Sequence, residues 1–153
     1  MDTLAAAFTR FIRVPPDQPL TEKQLAERVI YFYGAHAAVN AITDDEPPRI
    51  LASKFDRIAQ ELIAAAMRAH RSEAVSAPGT LVEAFDQMTS YMGSVAPTGF
   101  ERDIMLLLFY AGASDALELM EDDDRLRLVP ERARAVIGEV NTFYKKNILK
   151  EVE

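Results

Sequence analysis

Residues 32–38 read Phe-Tyr-Gly-Ala-His-Ala-Ala, and residues 109–113 read Phe-Tyr-Ala-Gly-Ala. Each stretch places an aromatic pair directly before a patch of small side chains, inside a long segment with helical periodicity. A glycine inside a helix costs about 1 kcal/mol relative to alanine, but it allows a second backbone to come close. The two stretches therefore predict that two long helices cross at these patches.

The two stretches belong to an apparent internal repeat. Residues 2–46 align without a gap with residues 79–123, and we call this pairing the repeat register. Eight of the 45 aligned pairs are identical, against about three expected by chance: Thr3/Thr80, Leu4/Leu81, Ala7/Ala84, Phe8/Phe85, Thr21/Thr98, Phe32/Phe109, Tyr33/Tyr110 and Asp45/Asp122. The repeat predicts two three-helix units, residues 2–71 and 79–150, packed about an approximate two-fold axis.

Helix start signals divide the chain into six helices. Capping boxes, in which a Thr is followed three residues later by Glu or Gln, mark starts at Thr21, Thr80 and Thr98. Pro130 suits the first turn of a last helix. We predict helices over residues 3–14, 21–43, 48–71, 80–93, 98–121 and 130–150. The expected fold is an all-α, compact bundle forming a single domain, residues 1–153. The apolar stripes of the third and sixth helices align only if the second unit carries a short insertion before its last helix.

Composition limits the classes of function. Hydrophobic residues make up 49% of the chain and charged residues 27%, which is typical of a globular domain. Cysteine is absent from the sequence, which excludes disulfides and cysteine-based zinc or iron–sulfur sites and fits a reducing cytoplasm. No apolar run reaches the roughly 20 residues of a membrane span. We expect a cytoplasmic protein that has no membrane partner, no metal and no cofactor.

The net charge of −7 is unevenly distributed. Residues 79–124 hold ten acids and one base, whereas residues 125–153 hold seven bases and four acids. The acidic segment would repel phosphate, so nucleic acid is not an expected partner. It could instead dock on the basic last helix or receive a basic protein partner. The candidate partner-binding residues are those of the acidic turn after the fifth helix: Glu121, Asp122, Asp123 and Asp124.

Three residues are candidates for binding a small ligand between helices 2 and 5: Tyr33, His36 and Tyr110. Imidazole titrates near neutral pH, and tyrosine offers both an aromatic face and a hydroxyl. In the repeat, Ala113 stands where the first unit has His36, so such a site would be asymmetric. The alternative interpretation is a hydrogen-bonded histidine among tyrosines that belong to the core, as helical spacing also suits residues 31, 91 and 144.

The sequence favours a non-catalytic function. It contains no glycine-rich phosphate loop, no Gly-x-Ser-x-Gly elbow and no Glu-x-x-His pair of the di-iron bundles. We expect an interaction or regulatory protein that acts through helical surfaces on a protein partner or a second copy of itself. The first alternative is a small-molecule-binding protein with a pocket between helices 2 and 5. The second is an enzyme of unknown class.

Overall fold

Six α-helices dominate the part of the chain that the computed structural model describes, which is residues 3–15, 17–43, 52–71, 79–93, 98–122 and 127–148. The helices are α1 (Leu4–Phe11), α2 (Glu22–Ile42), α3 (Ala52–His70), α4 (Thr80–Ser90), α5 (Gly99–Met120) and α6 (Pro130–Phe143), and α6 continues as a π-helix over Tyr144–Ile148. These ranges contain no β-strand, although Glu121 and Leu128 form an isolated β-bridge. The prediction of an all-α bundle is confirmed.

The predicted helix ends agree with the structure to within three residues wherever they fall in described ranges. α1 ends early because Arg13 adopts the left-handed conformation, with φ 59°, ahead of Pro15. Pro130 occupies the first turn of α6, as predicted. The predicted start of the third helix at residue 48 and the end of the sixth at residue 150 lie outside the described residues.

One of the three predicted capping boxes forms. The Thr21 hydroxyl accepts the Gln24 N–H at 3.2 Å, and the Gln24 side chain accepts the Thr21 N–H at 2.9 Å. The prediction is wrong at Thr80 and Thr98. Thr80 is already the first helical residue of α4, behind Gly79, and Thr98 precedes α5 without a capping hydrogen bond from its side chain.

Glutamates from other helices accept the first N–H groups of α4 and, together with the Thr3 side chain, of α1. The Glu61 carboxylate of α3 accepts the Leu81 N–H at 2.9 Å, and the Glu139 carboxylate of α6 accepts Leu4 and Ala5 N–H at 2.7 and 3.1 Å. A carboxylate suits this position because the first N–H groups of a helix lack internal partners and carry partial positive charge. When the two units are aligned, Glu61 matches Glu139 to within one position of the repeat register. Unlike the match between the apolar stripes, this match needs no insertion before the last helix.

The central and most extensive contact joins α2 and α5. A Cβ built on Gly34 would overlap the Phe109 carbonyl oxygen and lie 2.6 Å from the carbonyl carbon. A Cβ on Gly112 would likewise overlap the Tyr31 carbonyl oxygen and lie 2.7 Å from its carbon. The contact is reciprocal, since Gly34 pairs with Gly112, and Tyr31 with Phe109, at the same shift of one position from the repeat register. The predicted crossing at the small-residue patches is confirmed.

The other helices pack around this crossing. Phe8 of α1 and Phe85 of α4 are both fully buried, and their rings lie 5.1 Å from Tyr31 and 5.4 Å from Phe109 respectively. The Tyr31 hydroxyl also donates a hydrogen bond to the Asp115 carboxylate of α5. Both α3 and α6 contact each of the two central helices. None of the described helices is long and apolar enough to cross a membrane.

Candidate functional site

Tyr33 and His36 line a groove of about 460 Å³ between α2, α4 and the π-helix. We call it the His36 groove and define it by the following aromatic and polar side chains: Tyr33, His36, Asn40, Gln87, Tyr91 and Tyr144. Its size lies within the range of about 300–1,000 Å³ that is usual for ligand pockets. The remaining wall includes small side chains of α2 and α4 and the ring of Phe109.

The His36 imidazole lies flat against the ring of Tyr144. The two ring centroids are 3.9 Å apart and the ring planes differ by 3°. The side-chain nitrogen of Asn40, one helical turn further along α2, lies 3.3 Å from His36 Nδ1. Burial lowers the pKa of His36 below its ordinary value. The imidazole is therefore mainly neutral at pH 7, and His36 and Tyr144 form a face-to-face aromatic stack in the wall of the groove.

Two further tyrosines line the groove that contains the His36–Tyr144 stack. The Tyr33 ring stands perpendicular to that of Tyr144, at a centroid distance of 6.0 Å. Burial raises the pKa of Tyr33, and the neighbouring hydroxyls of Tyr144 and Tyr91 raise it further. Tyr91 follows the end of α4 and is 84% exposed at the rim of the groove. The groove therefore brings three phenol groups and a neutral imidazole together.

Tyr144 occupies this position at the point where α6 changes into a π-helix. A π-helix is rare, and its wider turn often occurs at functional sites. From the sequence, Tyr144 could line a pocket between helices or belong to the core, because its spacing along the sixth helix also fits an apolar stripe. The pairing of Tyr144 with His36 joins residues from opposite halves of the chain, and no local pattern in the sequence indicates it.

Tyr110 does not line the His36 groove. It lines a smaller groove of about 220 Å³ between α1, α3 and α5, the Tyr110 groove, together with Phe11, Leu62, Ala66, Leu107 and Ser114. The crossing of α2 and α5 itself has no room for a ligand, because backbone atoms meet there at Gly34 and Gly112. The candidate ligand-binding residues are thus divided between two grooves that flank the seam.

Some of the residues that line the two grooves are aligned with each other in the repeat register. The repeat register pairs Tyr33 of the larger groove with Tyr110 of the smaller one, and it pairs Phe11 of the smaller groove with Met88 of the larger. Ala66 pairs with Tyr144 at a shift of one position, and so the smaller groove has a methyl group where the larger has a phenol. The smaller groove is almost entirely apolar as a result.

The acidic turn after α5 is described only in part, since two of its residues lie outside the described ranges: Asp123 and Asp124. The Asp122 carboxylate lies 3.3 Å from Arg127 Nε, and Arg132 Nη1 donates to the Glu121 carbonyl oxygen at 2.6 Å. Asp122 therefore forms an ion pair with a basic residue of the segment that follows, whereas Arg132 contacts Glu121 through its backbone carbonyl.

A third feature is a set of exposed large apolar side chains on α1, α3 and α5, of which Phe11 and Leu107 line the Tyr110 groove. Three of them form a row along α5, two lie on α3 and one ends α1. Their exposed fractions range from 39% to 78%, and we call the surface that they define the α3–α5 face. Its residues are Phe100, Ile104 and Leu107 of α5, Ile63 and Met67 of α3, and Phe11 of α1.

Within the described residues, no group of three or more His, Asp or Glu side chains is placed to hold a metal ion. Comparison with protein-family models, curated proteins and solved structures found no match to this chain. Its function is therefore inferred from its own residues and their geometry.

Proposed function

We propose that this protein is a non-catalytic interaction protein that associates with a second copy of itself through the α3–α5 face. The observation that carries the proposal is the exposed row of Phe100, Ile104 and Leu107. Its spacings of four and three residues are those of a coiled-coil seam, which a second helix covers. Removing such apolar surface from water is favourable by about 25 cal/mol for each Å² buried.

The opposite net charges of the two helices that carry most of the face favour a second copy as the partner. α3 and the residue after it carry four bases and two acids: Lys54, Arg57, Arg68, Arg71, Asp56 and Glu61. α5 carries one base and four acids: Arg102, Glu101, Asp103, Asp115 and Glu118. A two-fold arrangement with antiparallel α5 helices places the basic α3 of each copy near the acidic α5 of the other. A parallel arrangement would instead bring Glu101 and Asp103 against their own copies.

The other candidate functions have less support. The described acids of the turn, Glu121 and Asp122, already lie beside Arg132 and Arg127, so a basic partner would compete with contacts inside the chain. For an enzyme, His36 would need an activating neighbour. The described residues around its groove include no carboxylate, and its closest partners are an aromatic ring and an amide.

Light scattering over a range of protein concentrations tests the self-association. We expect a mass near twice the chain mass of 17.1 kDa at about 100 μM protein. Leu107→Glu, which places a charge in the seam, is expected to weaken the dimer at least about 10-fold. Leu25→Glu is the matched control, because Leu25 lies outside the face and is 40% exposed against 42% for Leu107.

A wild-type protein that stays monomeric at that concentration would contradict the proposal. Equal weakening by Leu25→Glu would also contradict it, because added surface charge would then explain the loss of the dimer. Circular dichroism of both variants establishes that each one is folded before its mass is interpreted. A folded, monomeric Leu107→Glu beside a dimeric Leu25→Glu is the result that supports the α3–α5 face.

We also propose that the two halves of the bundle are copies of one three-helix unit. The support comes from the reciprocal backbone contacts of Gly34 and Gly112 and from the reciprocal caps formed by Glu61 and Glu139. Each pair lies within one position of the register that relates the identities. A crystal structure tests this proposal, since superposing one half on the other should require a rotation of about 180°.

A further inference from the structure

The His36 groove combines flat aromatic surfaces with neutral hydrogen-bonding groups. Its aromatic lining includes the His36–Tyr144 stack, and Asn40 and Gln87 contribute side-chain amides that can both donate and accept. Among the described residues that line the groove, none is Lys, Arg, Asp or Glu. A charged ligand would therefore lose hydration without gaining an opposite charge, which is unfavourable. The lining selects for an uncharged ligand.

Tyr91 supplies an aromatic ring on the open side of the groove. Its side chain is 84% exposed, the largest exposure among the large apolar and aromatic side chains of the described chain. When an exposed aromatic ring stacks on a planar ligand, the contact favours binding. The strength of such stacking depends little on which planar ring the ligand contains. Tyr91 is thus available to hold a planar ring against the aromatic lining of the groove.

The corresponding positions of the Tyr110 groove show that this lining is not a requirement of the helix packing. At the shift of one position that pairs Gly34 with Gly112, Ser114 stands at the position of His36 and Ala66 at that of Tyr144. Both Ser114 and Ala66 line the Tyr110 groove. A similar helix arrangement therefore forms with small side chains at both places, and the aromatic pair occurs only on the side with the larger groove.

We propose that the His36 groove binds a neutral, planar heteroaromatic compound of one or two fused rings. The ring stacks on Tyr91 and packs against the aromatic side chains that line the groove, and its edge heteroatoms hydrogen-bond to Asn40 or Gln87. This binding site is separate from the α3–α5 face and does not depend on self-association. The depressed pKa of His36 keeps the imidazole neutral around pH 7, which suits an uncharged ring.

A pair of purine probes that differ by one charge tests the class of ligand. Caffeine is a neutral planar purine, and theophylline-7-acetate has the same ring system with a carboxylate replacing one hydrogen of the N7 methyl group. We expect caffeine to bind with a Kd of about 1 mM, the affinity that ligands with its roughly 14 non-hydrogen atoms reach at ordinary efficiency. We expect the carboxylate probe to bind at least about 10-fold more weakly.

Two exposed side chains provide a variant and its control. Tyr91→Ala should weaken caffeine binding at least about 5-fold, the lower end for loss of one stacking platform. Leu25→Ala, at a residue of α2 that is 40% exposed and lies outside both the groove and the α3–α5 face, should leave the affinity unchanged. Binding is followed by NMR through the tyrosine and His36 ring protons, which shift with added probe if the groove is occupied.

Three outcomes overturn the proposal. The first is the absence of saturable shifts in the wild-type protein up to about 10 mM caffeine. The second is a carboxylate probe that binds as tightly as caffeine. The third is a Leu25→Ala variant that loses as much affinity as Tyr91→Ala. Because both substituted side chains are exposed at the surface, loss of folding does not complicate the comparison.

Discussion

Replacing Gly34 with alanine is expected to destabilise the protein strongly, although alanine is the better helix former. The new methyl carbon would overlap the Phe109 carbonyl oxygen and lie 2.6 Å from the carbonyl carbon and 2.9 Å from Phe109 Cα. Ordinary contacts of a Cβ atom are 3.4–4 Å. All three neighbours are backbone atoms of a helix, so none can rotate away. The two central helices would have to separate by about 1 Å at their crossing.

The size of the effect follows from two opposing contributions. Overpacking in a well-packed core costs about 1–3 kcal/mol, and the upper end applies where the clash is with backbone. A gap of about 1 Å around the crossing also removes up to half of the dispersion energy at the affected contacts. The gain from placing alanine in a helix is about 1 kcal/mol. We expect a net loss of about 2 kcal/mol in the free energy of unfolding.

Gly138 offers a matched control. It also lies inside a helix, but a Cβ built there would meet no heavy atom within 4 Å. Gly138→Ala should therefore stabilise the protein by about 0.5–1 kcal/mol. For a chain of this length about 1 kcal/mol corresponds to about 2–4 °C in Tm. Gly34→Ala should melt about 4–8 °C below the wild-type protein, and Gly138→Ala should melt about 1–4 °C above it.

Thermal unfolding followed by circular dichroism measures both shifts, and urea unfolding gives the free energies. Gly112→Ala, at the reciprocal contact, should resemble Gly34→Ala because its Cβ would lie 2.7 Å from the Tyr31 carbonyl carbon. The reasoning is refuted if Gly34→Ala and Gly138→Ala are equally stable. In that case the backbones of α2 and α5 would not be in contact at the crossing.

Three further predictions concern single side chains. Glu61→Ala leaves the buried Leu81 N–H without its acceptor and should cost about 1–3 kcal/mol in urea unfolding; a loss below about 0.5 kcal/mol would contradict the cap. Tyr31→Phe removes the hydrogen bond to the Asp115 carboxylate and should cost about 1–2 kcal/mol, and an unchanged stability would show that water replaces the hydroxyl. The folded-state pKa of His36 lies below its ordinary value of 6.5. At pH values between the two, the unfolded chain binds more protons at His36 than the folded protein does. Stability therefore falls as the pH drops from above 6.5 through the lowered pKa. The fall in Tm between about pH 7 and pH 5 should be smaller for His36→Gln, and an identical fall would assign it to other groups.

The helices could be predicted because their signals are local. The helical periodicity, the Thr21 capping box and Pro130 each act within one or two turns of a helix. The predicted caps at Thr80 and Thr98 were wrong. At Thr80 the reason is that the capping partner is not local. Glu61, which caps the start of α4, comes from a different helix, and nothing near Thr80 in the sequence indicates that partner.

The candidate site was only partly accessible to the same reasoning. The residue types of Tyr33 and His36 drew attention to them, and both line the larger groove. Tyr110 is grouped with them because the repeat aligns it with Tyr33. In the structure the two tyrosines line different grooves. Tyr144 was not selected, because its spacing also suits the core.

The sequence by itself determined six helices and the place where two of them cross. Gly34 and Gly112 mark the crossing because only a residue without a side chain permits backbone contact inside a helix. Tertiary structure decided what surrounds that crossing. In the folded protein the backbones of α2 and α5 are in contact at their crossing, and the ring of Tyr144 lies against that of His36. Periodicity determines which face of a helix is apolar, whereas the partner of each face depends on contacts between residues far apart in the chain.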